Sequence, residues 1–585
     1  MQRHRIDAFV VPSADPHLSE YLPGHWKGRE WLSGFTGSVG TFIATSSFAG
    51  VWTDGRYWTQ AETELAGSGV ELMKIPSGAS LLHIDWLAAK MAPGQTVAVD
   101  ASVLGLATAR LLSDALSARG ILLRTDIDLL DEVWSERPGL PDDPVFEHAA
   151  PFASTTRAAK LAATRKAMAS LGANAHFIST LDDIAYLFNL RGADVSFNPV
   201  FLAHALVTPE RATLFVGDDK VPTALRASLQ ADGVHLARYD DAANALATLG
   251  SETRLLADPR RITAGMRAAV GAGVRVIEAV NPTTFAKSRK TNDEAAHVRA
   301  TMEQDGAALC EFFAWLETSL QDSRREPLTE VAIDRHITAA RARRPGFVSP
   351  SFGTIAGFNA NGAIMHYRAT EQSHAVIEGH GLLLIDSGGQ YLGGTTDITR
   401  VVAVGEISDA HRRDFTLVLK GLIALSMAQY PRGTRSPLLD SIARAPIWAA
   451  GIDFGHGTGH GVGYFLNVHE GPQSISPSTA PDPHTAMEPG MITSIEPGIY
   501  RPGKWGIRIE NLVLNVPAAS TEFGEFLRFE TLTLCPIDTR CMDLSILRAD
   551  ERAWINDYHA TVRARLAPHV SGAAAAWLRT RTEEI

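Results

Sequence analysis

Cysteine is almost missing from these 585 residues. Cys310, Cys535 and Cys541 are the only ones, odd in number and forming no CxxC pair. That excludes a disulfide framework or a thiolate metal site and fits a reducing compartment. Long hydrophobic runs are missing too: no stretch approaches the roughly eighteen apolar residues a membrane-spanning helix needs. The start, "MQRHRIDAFVV", has only a short apolar run before Pro12, too little for a secretory signal. A surplus of positive charge is absent as well. The net charge is −11, spread through the chain, which argues against nucleic acid as the main partner. A cytoplasmic protein that binds neither membrane nor nucleic acid is expected.

What is present, 45% hydrophobic and 20% charged residues, is ordinary for a globular protein. The length exceeds one core, so two to four domains are expected. Two early stretches share a pattern. "IDAFVVPSADPHLSEYLPG" (6–24) reads as strand, turn, then helix closed by Gly24, and "ANAHFISTLDDIAYLFNLRG" (173–192) repeats that order. Each precedes β-rich sequence, which predicts two related α/β domains. "ERPGLPDDP" (136–144) reads as the linker between them, and "DGRY" (54–57) as a hairpin turn.

A third part begins near "TFAKSRKTNDEAAHVRA". Thr291 and Glu294 have capping-box spacing, and Val298, Met302, Leu309, Phe312 and Leu316 form a helical stripe. A second helix is predicted over 328–343, and strands follow. The programme then runs again, with helices near 408–429 and 437–449 and strands "GMITSIEPG" (490–498) and "GIRIENLVLNV" (506–516). Each half therefore offers two helices and a strand pair bearing two acids.

"IDSGGQYLGGTTDITR" (385–400) holds the first pair. Asp386 ends an apolar run, and Asp397 follows eleven positions later with no basic residue before Arg400. Glu496 and Glu510 are their counterparts. Buried unpaired charges are costly, and four converging carboxylates repel one another, so two divalent cations between them would neutralise the cluster. "FGHGTGHGVG" (454–463) brings His456 and His460 to a glycine-rich, closely approachable backbone, and "NVHEGP" brings His469. Asp, Glu and His without Cys favour Mn²⁺, with Mg²⁺, Fe²⁺, Co²⁺ and Zn²⁺ as competitors. Any one of these residues alone is more often a turn, cap or core residue than a ligand. The joint pattern in both halves outweighs that reading. Arg508 lies two residues before Glu510, so on a strand both face one side; it either orients that carboxylate or forms a structural ion pair.

The third part resembles the pita-bread metallopeptidases, and the whole chain resembles the long, three-domain aminopeptidase P (Xaa-Pro aminopeptidase) family. The resemblance rests on "SGFTGSVGT", "WTDGRYWTQA", "LFNLRGADVSFNPVF", "IMHYR" and the strings above. It implies two creatinase-type α/β domains, 1–140 and 141–284, ahead of a pita-bread catalytic domain, 285–585, with a pseudo-twofold repeat. It further implies two Mn²⁺ ions. Asp386 would bind one, His460 and Glu496 the other, and Asp397 and Glu510 would bridge them. His366, His456 and His469 match histidines that line the family's substrate site. His366, His469 and Glu496 are the expected catalytic residues, and His366, His456, His469 and Arg508 the expected substrate contacts.

The implied activity is release of the first residue from peptides with proline second, by attack of a hydroxide held between the metals. A homodimer is also implied. A prolidase cleaving only Xaa-Pro dipeptides is the alternative. A metal-free amidinohydrolase, or a non-catalytic scaffold of the same fold, would be expected to lack part of the ligand set.

Overall fold

The computed structural model describes residues 1–76, 80–321 and 327–585. The chain divides into two compact units, Met1–Phe285 and Ala286–Ile585.

The first unit is built on two six-stranded sheets. One runs in the order Glu71–Ile75, Ala49–Asp54, Thr41–Thr45, Ala8–Pro12, Thr96–Val99, Leu122–Arg124. The other runs Val234–Arg238, Ala212–Val216, Ala203–Val207, Ala175–Ile178, Arg254–Ala257, Arg275–Glu278. Pairing directions agree strand for strand. In each sheet the strand earliest in sequence is antiparallel to one neighbour and parallel to the other, and the two outer pairs are parallel. Shared order and direction are stronger signs of duplication than the weak sequence similarity. Strand Ala8–Pro12 shows why such runs read as continuously apolar. Ala8 and Val10 pack into one core and Phe9 and Val11 into another, on opposite faces of the sheet.

Three local expectations need correction. The helix expected within 13–24 does not form; after a loop the chain makes a single turn at Gly24–Trp26 and a short helix at Gly28–Ser33. Pro16 and Pro23 lie in that stretch, and each removes a donor and clashes with a helical backbone. Its counterpart Leu181–Phe188 is a helix, but Asn189 closes it at φ 51°, not Gly192. "DGRY" is not a hairpin turn. It joins strand Ala49–Asp54 to helix Trp58–Glu64. The next strand, Glu71–Ile75, runs parallel to the first, and parallel neighbours need a crossover. The stretch 136–144 carries no helix or strand and is largely exposed.

In the second unit the predicted capping box forms. Thr291 Oγ1 accepts from the Glu294 amide at 3.2 Å, and Glu294 Oε2 accepts from the Thr291 amide at 2.8 Å. They start helix Asn292–Gln321, whose predicted stripe is buried. Helix Glu330–Ala342 follows. Strands Ile355–Phe358, Gly381–Ser387 and Ile398–Val404 then form an antiparallel sheet. The second half repeats the order, with helices Asp409–Ser426 and Asp440–Trp448 ahead of a six-stranded sheet. Its strands Asn511–Thr521, Ile492–Ile495 and Gly459–Gly461 lie side by side. Buried Arg400 ties the halves together, donating to the Glu510 carbonyl at 2.6 Å and to Asn511 Oδ1 and the Cys535 carbonyl at 2.8 Å.

Candidate metal centre

Asp386 and Asp397 meet because of register. Gly381–Ser387 pairs antiparallel with Ile398–Val404, with Asp386 opposite Thr399, so Asp397 lies one step beyond the end of the same pair. The turn between them is not a simple loop: Gly389–Tyr391 pairs with Gly394–Thr395. Gly388 is obligatory there, since a Cβ would lie 2.0 Å from the Thr396 carbonyl and 2.1 Å from Ser351 Oγ.

Glu496 and Glu510 sit at strand ends, not within strands as the sequence implied. Glu496 follows Ile492–Ile495, and its amide donates to the Thr458 carbonyl at 2.7 Å. Glu510 falls in the break between Trp505–Arg508 and Asn511–Thr521, and its amide donates to the Thr399 carbonyl at 3.1 Å. Asp386 thus comes from within a paired strand, whereas Asp397, Glu496 and Glu510 come from backbone just beyond strand ends. His460 stands on the short strand Gly459–Gly461. Gly459 lets that strand press against its neighbour, because a Cβ would reach within 1.9 Å of the Ser494 carbonyl.

Ligand atoms of Asp397, His460 and Glu510 all lie within 4.8 Å of one another. His460 Nε2 is 3.5 Å from Asp397 Oδ2 and 3.4 Å from Glu496 Oε1. Its Nδ1 is 3.0 Å from the Gly461 carbonyl, which can only accept. In a neutral ring Nδ1 therefore carries the proton, and Nε2 turns a lone pair toward two carboxylates. That arrangement is repulsive unless a cation lies between them. Asp386 Oδ1 and Glu510 Oε1 are buried without a hydrogen-bond partner. The residues present therefore fit a hard or borderline cation, and the absence of sulfur donors agrees.

The electrostatics say the same. Asp397 and Glu510 are driven well above the carboxylate range, first by burial and then by neighbouring carboxylates. Glu496 is pushed up to about 7, by burial, with Arg508 opposing. Against four acids the chain sets the Arg508 guanidinium, too little to let all four ionise at such range. Arg508 departs from expectation in its partner. Its Nη2 donates to Asp386 Oδ2 at 2.6 Å, not to Glu510. It reaches Glu510 only through Thr399, whose hydroxyl accepts from Arg508 Nε at 3.2 Å and donates to Glu510 Oε2 at 2.9 Å. The expectation that Asp386 lacks a basic partner is thereby corrected. The cation comes from 122 residues away, beyond what a local reading can see.

Of the remaining histidines, His469 packs on His460 and His456 is joined to Arg508 through Tyr500. His456 Nδ1 donates to the Gly457 carbonyl at 2.7 Å, leaving Nε2 to accept from the Tyr500 hydroxyl at 2.8 Å. Tyr500 in turn accepts from Arg508 Nη1 at 2.8 Å; burial pushes its hydroxyl up to about 12. The His456 loop is held by buried Arg444, which donates to Asp440 Oδ2 at 2.6 Å, to the Phe454 carbonyl at 2.8 Å and to the His456 carbonyl. His469 is exposed, and its ring stands perpendicular to that of His460 with centroids 4.3 Å apart. His366 is half-buried on the turn that Tyr367 closes by donating to the Ile364 carbonyl at 3.0 Å. Met365 places that turn beside the His456 loop, its methyl 3.9 Å from where a Cβ on Gly455 would stand. Sequence reasoning missed Tyr500, Thr399 and Arg444. A signal existed for Tyr500, because "RPGK" is a turn between "GIY" and "WGI", which pairs Tyr500 with Gly506 and brings it toward Arg508.

Comparison with known proteins agrees with this architecture. Residues 1–132 and 136–294 each match the creatinase/prolidase N-terminal domain, residues 296–516 match metallopeptidase family M24, and residues 525–585 match the C-terminal region of peptidase M24. The probable Xaa-Pro aminopeptidase P of Talaromyces marneffei is 38% identical over 574 residues, covering 96% of this chain and 87% of the relative. Aminopeptidase P2 of Arabidopsis thaliana is 36% identical over 617 residues, covering 99% and 86%. The crystal structure of an X-prolyl aminopeptidase from Caenorhabditis elegans, described as a cytosolic enzyme with a di-nuclear active site, superposes with a TM-score of 0.93. It is 31% identical, with 99% of this chain and 95% of that chain covered. With paired creatinase-type domains, a pita-bread catalytic unit and relatives matched along its whole length, this chain belongs to the Xaa-Pro aminopeptidase P family of M24 metallopeptidases.

Proposed function

We propose that this protein is a metal-dependent aminopeptidase that releases the first residue from peptides with proline in second position. The observation that carries this reading is the convergence of Asp386, Asp397, His460, Glu496 and Glu510 around a centre in which Arg508 pairs with Asp386. Those five residues are proposed to hold two divalent ions, Mn²⁺ before Zn²⁺, Co²⁺, Fe²⁺ or Mg²⁺. Such a pair supplies Lewis acidity and an activated water at neutral pH. The division into domains 1–140, 141–284 and 285–585, a homodimeric assembly and a cytoplasmic location complete the proposal. Among the described residues no helix is long and apolar enough to cross a membrane.

The chain's own groups account for the rest of the chemistry. The free amino group of the peptide is proposed to bind beside individual carboxylates of the centre. Proline has no N–H, so a pocket can enclose its ring without stranding a donor. His469, exposed beside His460, is the proposed donor to the oxygen that gains charge as the carbonyl is attacked. Glu496, whose Oε1 lies 3.4 Å from His460 Nε2, is the proposed acceptor of the proton from the attacking water. His366 and His456 are the proposed walls of the substrate site, and Arg508 orients Asp386 and, through Tyr500, His456.

The test is a substrate panel assayed with added Mn²⁺. Arg-Pro-Pro with a free amino terminus should lose arginine, and the N-acetylated peptide should be a poor substrate. Equal turnover of the two sinks the reading, while cleavage confined to dipeptides identifies a prolidase instead.

A further inference from the structure

Just ahead of the capped helix at Asn292, two lysines converge on one buried carboxylate. Lys290 Nζ donates to Glu470 Oε1 at 2.6 Å, and Lys287 Nζ stands 3.3 Å from Glu470 Oε2. The side chains of Lys290 and Glu470 are fully buried and that of Lys287 is 3% exposed. Burial pulls Lys290 below the usual lysine range, with Glu470 opposing. Two buried cations on one buried anion exceed what packing asks for. An apolar contact of similar volume would fill the space at least as favourably. The arrangement instead holds one oxygen of a single side chain by a hydrogen bond and sets a second ammonium beside the other.

That side chain belongs to the residue after His469. Glu470 opens strand Glu470–Ile475 and stands opposite Gly461, where the pairing with Gly459–Gly461 shifts register just after His460. The approach is close: a Cβ on Gly461 would come within 2.3 Å of the Glu470 carbonyl. Neighbouring side chains here point opposite ways, Glu470 inward and buried, His469 outward and exposed beside the His460 ring. The lysine segment is itself anchored, since the Lys290 amide donates to the Gly490 carbonyl at 2.9 Å and Arg289 bridges to Met491.

We propose that Lys287 and Lys290 are positioning residues: by clamping Glu470 from both sides they fix the backbone at 469–470 and hold the His469 imidazole at its working angle to His460. The clamp rests on the reading of His469 as the oxyanion donor. It acts without touching substrate or metal. Removing one lysine leaves one ammonium facing one carboxylate, a balanced pair, so Lys290→Met should still fold.

The test is steady-state kinetics with metal analysis on Lys290→Met, Lys290→Arg, Lys287→Met, His469→Ala and the double variant His469→Ala with Lys290→Met. Misplacing a catalytic group by an ångström costs up to about 100-fold. Lys290→Met should therefore lose kcat by between about 10- and 100-fold, with KM and metal content unchanged, and Lys290→Arg should recover most of it. In the His469→Ala background the lysine substitution should change kcat little, because the group it positions is gone. An equal loss in both backgrounds overturns the clamp and leaves the reading of His469 intact. Full turnover by His469→Ala alone overturns the reading of His469, and the clamp with it. Should Lys290→Met fail to fold, Lys287→Met and its double variant with His469→Ala decide by the same comparison.

Discussion

Arg508 meets Asp386 at 2.6 Å, and both side chains are nearly buried. With its other terminal nitrogen on Tyr500, the guanidinium cannot follow the carboxylate if that moves, so it fixes one edge of the acidic cluster. Arg508→Met should destabilise the fold by about 3–5 kcal/mol, the cost of stranding one partner of a buried pair. The loss should be larger in chelator than in excess Mn²⁺, because a bound cation replaces the missing charge on Asp386. Melting curves of both proteins in both conditions decide this. An identical drop with and without metal would make Arg508 a structural ion pair with no link to the cluster.

Chelation of the unmodified protein should lower its melting temperature along with its activity. Asp397 and Glu510 are both raised by burial and by neighbouring carboxylates, a penalty that bound cations remove. Free metal at a hundredfold excess over Kd stabilises by about 2.7 kcal/mol per site. Calorimetry with and without chelator, alongside elemental analysis, measures it. An unchanged melting temperature with less than one metal per chain counts heavily against a dimetal centre.

How much of this was legible in the sequence follows from the range of each interaction. The capping box at Thr291 and Glu294 and the stripe from Val298 to Leu316 were readable because helix signals are local. Acids after apolar strands in both halves, with His460 among glycines, likewise marked a cluster that the fold brings together. Between residues 13 and 24 the apolar spacing suggests a helix, and Pro16 and Pro23 prevent it. The partner of Asp386 was not readable. Nothing local ties it to Arg508, and only the pairing of Gly498–Arg501 with Trp505–Arg508, set against the first-half sheet, delivers that charge. Thr399 and Arg444 escaped for the same reason: their roles lie in contacts with segments far away or with backbone carbonyls.

Buried neutral histidines should make the protein sensitive to acid. His176 donates from Nδ1 to the Leu256 carbonyl at 3.1 Å while Nε2 is buried without a partner, and burial lowers its pKa from 6.5 to about 4. His559, whose Nε2 accepts from the Ile537 amide at 3.1 Å, is also lowered to about 4, first by burial. The unfolded chain binds these protons more readily than the folded one. Their contribution is therefore complete above about pH 6.5 and lost as pH falls toward 4. One such histidine costs about 2 kcal/mol between pH 7 and pH 5. His176→Asn should consequently show a smaller fall in melting temperature over that interval than the unmodified protein. An equal fall in both would mean that His176 takes up no proton on unfolding.

His460 and His469 are neighbours with different proposed work, and two substitutions separate them. His460 Nε2 lies within 3.5 Å of Asp397 and Glu496, so His460→Ala removes a donor from the centre and should lower metal content together with activity. His469 is exposed, and its contact with the cluster is the perpendicular ring of His460. His469→Ala should keep its metal and a near-normal melting temperature. Its turnover should fall by roughly 10² to 10³, the usual loss for one oxyanion-stabilising donor. Metal analysis and kinetics on the pair give a two-by-two outcome. Loss of metal from His469→Ala to the extent seen in His460→Ala would place His469 among the ligands. Full activity would return it to the role of a surface histidine beside the buried Glu470 clamp.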